Sequence, residues 1–80
     1  MFLKPLASEK IVKLIDIDNT LVFIVSRRAT KSEIKENIEK IFKVKVSAVR
    51  TLLQSNQKKA YVKFKKEYPA IDIATKLGLI

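Results

Sequence analysis

The 80-residue sequence has no cysteine and no histidine. Disulfides, cysteine or histidine metal sites, and catalysis by either side chain are therefore excluded. It also lacks any apolar run of about 18 residues, so no helical membrane span and no membrane insertion are expected. The first residues (Met1, Phe2, Leu3, Lys4, Pro5) do not form the apolar stretch of about 7–15 residues that marks a signal peptide. Repeats, linkers and low-complexity tracts are missing too, which leaves a single domain over residues 1–80. A domain of this size buries roughly 60% of its unfolded surface, enough for one modest core and no deep substrate cavity. The apolar content of 48% is that of a folded chain rather than a disordered one.

The most informative absence is local. Between residues 40 and 66 there is no acid, yet there are nine cations: Lys40, Lys43, Lys45, Arg50, Lys58, Lys59, Lys63, Lys65 and Lys66. Elsewhere eight basic residues meet eight acidic ones, so one third of the chain carries the whole net charge of +9. Solvated helix faces mix signs, as Glu36/Lys40 and Glu39/Lys43 do at i,i+4 spacing. A block of one sign inside a folded domain repels itself, and a polyanion is the usual compensation. No basic amphipathic helix with a wide apolar face points to a membrane surface instead.

Hydrophobic spacing predicts the element order α-β-α-β-β-α. Ser8 is a fair N-cap for a helix over 8–16, with Ile11, Leu14 and Ile15 as its stripe; Asp16, Asp18 and Asn19 then read as a turn. Residues 20–26 are β-branched and aromatic with apolar side chains on both faces, which predicts a central strand covered on both sides. Thr30 and Glu33 have capping-box spacing at the head of a helix over 30–42, with Ile34, Ile38, Ile41 and Phe42 facing a core. In a strand over 45–53, Val46, Ala48 and Leu52 alternate against Ser47, Val49, Thr51 and Leu53. A short turn from Gln54 to Gln57, with Ser55 and Asn56 between them, leads to a strand over 59–65, forming an antiparallel hairpin. There Ala60, Val62 and Phe64 share one face, Tyr61, Lys63 and Lys65 the other. Pro69 and Gly78 frame a last helix whose apolar side is Ile71 and Ala74 with Leu77 or Ile73.

Two short motifs resemble known sites. Asp16-Ile17-Asp18-Asn19-Thr20 is similar to the nucleophile motif of haloacid-dehalogenase-type phosphatases, but the apolar run before it is helical and no second acidic pair follows. The same aspartates do not fit an EF-hand, because Leu21 and Arg27 stand where Gly and Glu are required. Ala60-Tyr61-Val62-Lys63-Phe64 resembles part of the signature of the RNA recognition motif, in which sheet aromatics stack bases. Lys58-Lys59 replace its Gly-Phe, and the chain ends where a fourth strand is expected. Phe23 and Phe64 are expected in the core, and Tyr61, sharing a face with lysines, against RNA. This single-stranded RNA binder is the alternative function.

A third resemblance spans most of the chain. Ser8-Glu9-Lys10, Arg27-Arg28-Ala29-Thr30-Lys31, Glu33-Ile34-Lys35, Ile41-Phe42-Lys43-Val44-Lys45-Val46, Val49-Arg50-Thr51 and Lys58-Lys59-Ala60-Tyr61-Val62 follow one another as in the twenty-third protein of the large ribosomal subunit. The short Gln54–Gln57 connection resembles the archaeal or eukaryotic-core type rather than the long bacterial loop. The resemblance implies an α+β sandwich with a small antiparallel sheet, no enzyme activity and no cofactor. It also implies residence in the cytoplasmic ribosome and binding of large-subunit rRNA at the nascent-chain exit tunnel, beside neighbouring ribosomal proteins. Docking partners would be the signal recognition particle, the translocon and a nascent-chain chaperone, the last at Glu9. The expected RNA contacts form four clusters: Ser8 and Lys10; Arg27, Arg28, Thr30, Lys31 and Lys35; Arg50 and Thr51; and Lys58, Lys59, Tyr61 and Lys63. Many family members have Asn at the position of Arg50, where a charged phosphate contact is expected instead.

Overall fold

The helices start where the capping side chains place them. The computed structural model describes residues 3–79. Ser8 Oγ accepts from the Ile11 amide at 3.3 Å at the head of α1 (Glu9–Asp18). Thr30 and Glu33 close a reciprocal capping box at the head of α2 (Lys31–Phe42), with bonds of 3.2 and 3.1 Å. The strands are β1 (Leu3–Pro5), β2 (Thr20–Val25), β3 (Val46–Gln54) and β4 (Gln57–Phe64), and α3 (Ala70–Lys76) follows. They form one antiparallel sheet in the order β1-β2-β4-β3. The expected α+β architecture is thus present, with one added element. β1 is three residues long and ends in a proline, too little for periodicity to register; as an edge strand beside β2 it tolerates the missing N–H.

All three helices contribute to one core on one face of the sheet. Leu21, Phe23 and Val25 of β2 and Ala60, Val62 and Phe64 of β4 meet Ile15, Ile34, Ile38, Ala70, Ile73 and Ala74. Phe23 and Phe64 are each 1% exposed, and burial of a side chain that size stabilises the fold by about 1.5–3 kcal/mol. Val22 is buried as well, on the opposite face, but Ile24 beside it is only half-buried; β2 is central in the sheet as expected, yet all three helices lie on its Leu21/Phe23/Val25 side, so its other face is not covered by a second layer. Ile41 is exposed: in the last turn of α2 only one of two adjacent residues can face inward, and Phe42 does. On α3, Ile73 turns inward rather than Ile71.

The hairpin departs from simple alternation. Val46 pairs with Phe64 and Ala48 with Lys63, so a bulge at Ser47 puts Val46 in the core and Ala48 on the outer face. Without it Val46 and Ala48 would share a face, as the alternation implies. The turn is the two-residue Ser55–Asn56 connection, with φ of 50° and 64°, the left-handed pair that matches strand twist. The last helix ends in a Schellman arrangement: Leu79 N–H donates to Ala74 O and Gly78 N–H to Thr75 O, with Gly78 at φ 76°.

The aspartate-rich segment is not a turn. α1 runs two residues further than expected and takes in Asp16 and Asp18; Asn19 alone reverses the chain, at φ 51° and ψ 41°. Its amide also ties the loop between β4 and α3. Nδ2 lies 3.1, 3.3 and 3.2 Å from the carbonyls of Phe64, Lys65 and Tyr68, and Oδ1 accepts from Ala70 N–H at 2.6 Å. Pro69 has no side-chain cap to offer α3. Asn19 satisfies the first orphan donor of that helix from 51 residues away.

Candidate nucleic-acid interface

The strand register sets out the sheet face that points away from the core. One row across it reads Lys4, Ile24, Lys59, Leu52, from β1 to β3. The next reads Val22, Tyr61, Arg50, and the third Thr20, Lys63, Ala48. Successive rows are roughly 7 Å apart, two residues of strand rise. Arg50 lies over the Tyr61 ring with its guanidinium carbon 5.5 Å from the centroid, a cation–π contact. Lys4 is a cation of this face that sequence reasoning missed, because its strand was too short to recognise.

Alternation separates neighbours that the sequence joins. Lys58 and Lys59 point to opposite faces: Lys59 belongs to the outer rows, while Lys58 lies on the core side and donates from Nζ to Ala29 O at 2.6 Å. Lys58 is thereby joined to the segment that starts α2 and not to the outer face. Arg50 and Thr51 divide in the same way, Thr51 half-buried on the helix side. Around the start of α2, Arg27, Arg28, Lys31 and Lys35 are all exposed. The hydroxyls of Ser8 and Thr30 are occupied as caps. Lys10 and Glu9 are exposed in the first turn of α1. The basic surface therefore has two main parts, the outer sheet face (Lys4, Arg50, Lys59, with Tyr61) and the α2 start with Lys58.

One cation of the outer face is compensated. Lys63 Nζ lies 3.1 Å from Asp18 Oδ1, the one ion pair among the described residues. Glu39 and Lys43 do not pair; the Glu39 carboxylate accepts from Val46 N–H at 2.9 Å, and Lys43 caps α2 in a left-handed conformation. The acids at the end of α1 oppose its dipole, and Lys63 offsets that for Asp18. The Lys63 ammonium, by hydrogen bond and by charge, holds the Asp18 carboxyl below its ordinary 3.8; desolvation opposes this, and the Thr20 hydroxyl and Arg50 add lesser help. A carboxyl lowered on folding stabilises the native state above its unfolded value, and that contribution fades as pH falls through the native one. Melting temperature should therefore drop more steeply for wild type than for Asp18→Asn between about pH 5 and pH 2. Parallel curves would show that the pair contributes nothing.

Asp16 and Asp18 thus stand in the last turn of a helix, and Asp18 is engaged by Lys63 and Thr20. Among the described residues no group of three or more acids, cysteines or histidines is arranged to hold a metal. Phe23 and Phe64 are core residues, which leaves Tyr61 as the aromatic of the outer face. A fourth strand is present, but β1 supplies it from before α1 rather than from beyond β4.

Two comparisons bear on this surface. The family described as "Ribosomal protein L23" matches residues 1–71. A curated protein of Methanococcus vannielii, "Large ribosomal subunit protein uL23", is 49% identical over 76 residues, covering 94% of this chain and 88% of that protein.

Proposed function

The chain belongs to the ribosomal protein L23 family, and from that premise we propose that it binds large-subunit rRNA through its two basic surfaces. Family membership makes it a structural constituent of the large subunit of the cytoplasmic ribosome, working in translation, in a family that is not enzymatic. The observation that carries the RNA reading is the fate of the acid-free stretch. It runs from the end of α2 through the β3–β4 hairpin, and Arg50 and Lys59 of the hairpin emerge on an outer face where Lys63 alone has an acidic partner among the described residues. Cations so arranged neutralise phosphates and release counterions, a contact that is strong and salt-dependent. Arg27 and Arg28 precede α2 and Lys31 and Lys35 lie in its first turns, all exposed, near the positive end of the helix dipole. Ser8 and Thr30 set local geometry as helix caps, while Lys10 adds charge near the α1 start.

The proposed seat is beside the polypeptide exit tunnel, with neighbouring ribosomal proteins. There exposed Glu9 would offer a docking point to a nascent-chain chaperone, and adjoining surface would serve the signal recognition particle or the translocon. The two-residue turn suits the short-loop form of the family. Purified protein should co-sediment with large ribosomal subunits stripped of their own copy, and added salt should release it progressively. Failure to co-sediment, or association indifferent to salt, would refute the proposal.

A further inference from the structure

Arg50 and Tyr61 are cross-strand partners at the centre of the outer sheet face. The guanidinium carbon lies over the ring, 5.5 Å from its centroid, so two planar groups meet in a cation–π contact where the sheet meets solvent. Among the described residues the Arg50 side chain makes no hydrogen bond and no ion pair, although its charge reaches Asp18. In the adjoining row Lys59 stands beside Leu52, which is 46% exposed, and beside half-buried Ile24. In the row on the other side Lys63 is neutralised by Asp18. The result is a guanidinium–phenol platform with a second uncompensated cation, Lys59, in the row to one side and a neutralised one, Lys63, in the row to the other.

A phosphate does not need such a platform. It needs donors, and a lysine on a flexible stem supplies them as well. A plane of guanidinium on phenol is suited to a third planar group. We infer that the Arg50–Tyr61 pair seats an unpaired nucleobase, stacked on the guanidinium or in its place on the ring, while Lys59 takes an adjoining phosphate. Bases within a duplex are stacked on one another and offer no free face, so the ligand is a nucleotide from a loop, bulge or single strand. The inference rests on the RNA binding proposed above and names the chemistry of one part of it.

Two probes separate stacking from charge: single-stranded oligoadenylate of five residues, and a blunt RNA duplex of similar phosphate count. Arg50→Lys keeps the charge and loses the plane; Tyr61→Leu keeps apolar bulk and loses the ring; Tyr61→Phe keeps the ring. Stacking one base on a side chain changes affinity by roughly 5- to 150-fold. Arg50→Lys and Tyr61→Leu should weaken oligoadenylate binding within that range and leave duplex binding within about twofold, with Tyr61→Phe near wild type. Tyr61 ring protons of the wild type should move upfield in NMR as oligoadenylate is added. Arg50→Lys is exposed and leaves the core intact, so it decides the matter if Tyr61→Leu fails to fold. Unchanged oligoadenylate affinity in Arg50→Lys, or equal losses on both probes, overturns the stacking site. Wild-type protein that binds the duplex but not oligoadenylate overturns it and leaves the wider RNA proposal standing, whereas binding to neither probe counts against both.

Discussion

Asn19→Ala should lower unfolding free energy by roughly 2–4 kcal/mol, the largest loss expected from any single polar side chain here. Two physical terms add. The backbone of Asn19 is left-handed, a conformation that costs an ordinary L-residue about 1–2 kcal/mol and that Asn tolerates. Its amide also satisfies Ala70 N–H and shares two donor hydrogens among the carbonyls of Phe64, Lys65 and Tyr68. Without it α3 loses the acceptor at its first amide, and the α3 residues Ala70, Ile73 and Ala74 belong to the core. Asn19→Gly separates the terms: it restores the left-handed freedom and still lacks the bonds. It should fall between wild type and Asn19→Ala, by about 1 kcal/mol from the latter. For a domain of this size each kcal/mol moves the melting temperature by about 4–8 °C, so thermal unfolding reads both differences. A loss below about 1 kcal/mol in Asn19→Ala would mean both that water replaces the side chain without penalty and that the left-handed backbone costs alanine little.

Removing the four cations at the α2 start, in Arg27/Arg28/Lys31/Lys35→Ala, should weaken binding to a large-subunit rRNA fragment by about three decades at 0.1 M salt. Each phosphate neutralised contributes about 0.7–0.9 to the slope of log affinity against log salt, so four contacts account for roughly 3 units of slope. Between 1 M and 0.1 M salt that slope is three decades of affinity. The four side chains are exposed and none is in the core, so the variant should melt near wild type. A salt slope unchanged within half a unit would show that these residues are solvated decoration. A slope reduced by one or two units would place only some of them on phosphate. Lys58→Ala is a poorer probe, because it also strips Ala29 O of its donor.

Much of the fold was legible in the sequence because local chemistry dictates it. Ser8, Thr30 and Glu33 can satisfy orphan amides within three residues, so helix starts are written in the chain. Ser55 and Asn56 close the hairpin over two residues, and Gly78 ends α3 by the same local logic. What escaped depends on contacts distant in sequence. β1 exists only because β2 offers it a partner. The bulge at Ser47 exists because Val46 has to enter the core while Ala48 stays on the ladder. Asn19 reads as an ordinary turn residue until the loop 51 residues away is brought to its amide.

The candidate site divides along the same line. The acid-free stretch between residues 40 and 66 is a property of the sequence alone, and so is the resemblance that ran from Ser8 to Val62. Period-two alternation already set Tyr61 and Lys63 apart from Ala60 and Val62. Only the tertiary structure decided which cations work together. It divides Lys58 from Lys59, neutralises Lys63 with Asp18 and brings Arg50 onto Tyr61 across a strand pair. Charge is additive along a chain and can be counted there, whereas facing is fixed by strand pairing between residues far apart in sequence, and pairing exists only in the fold.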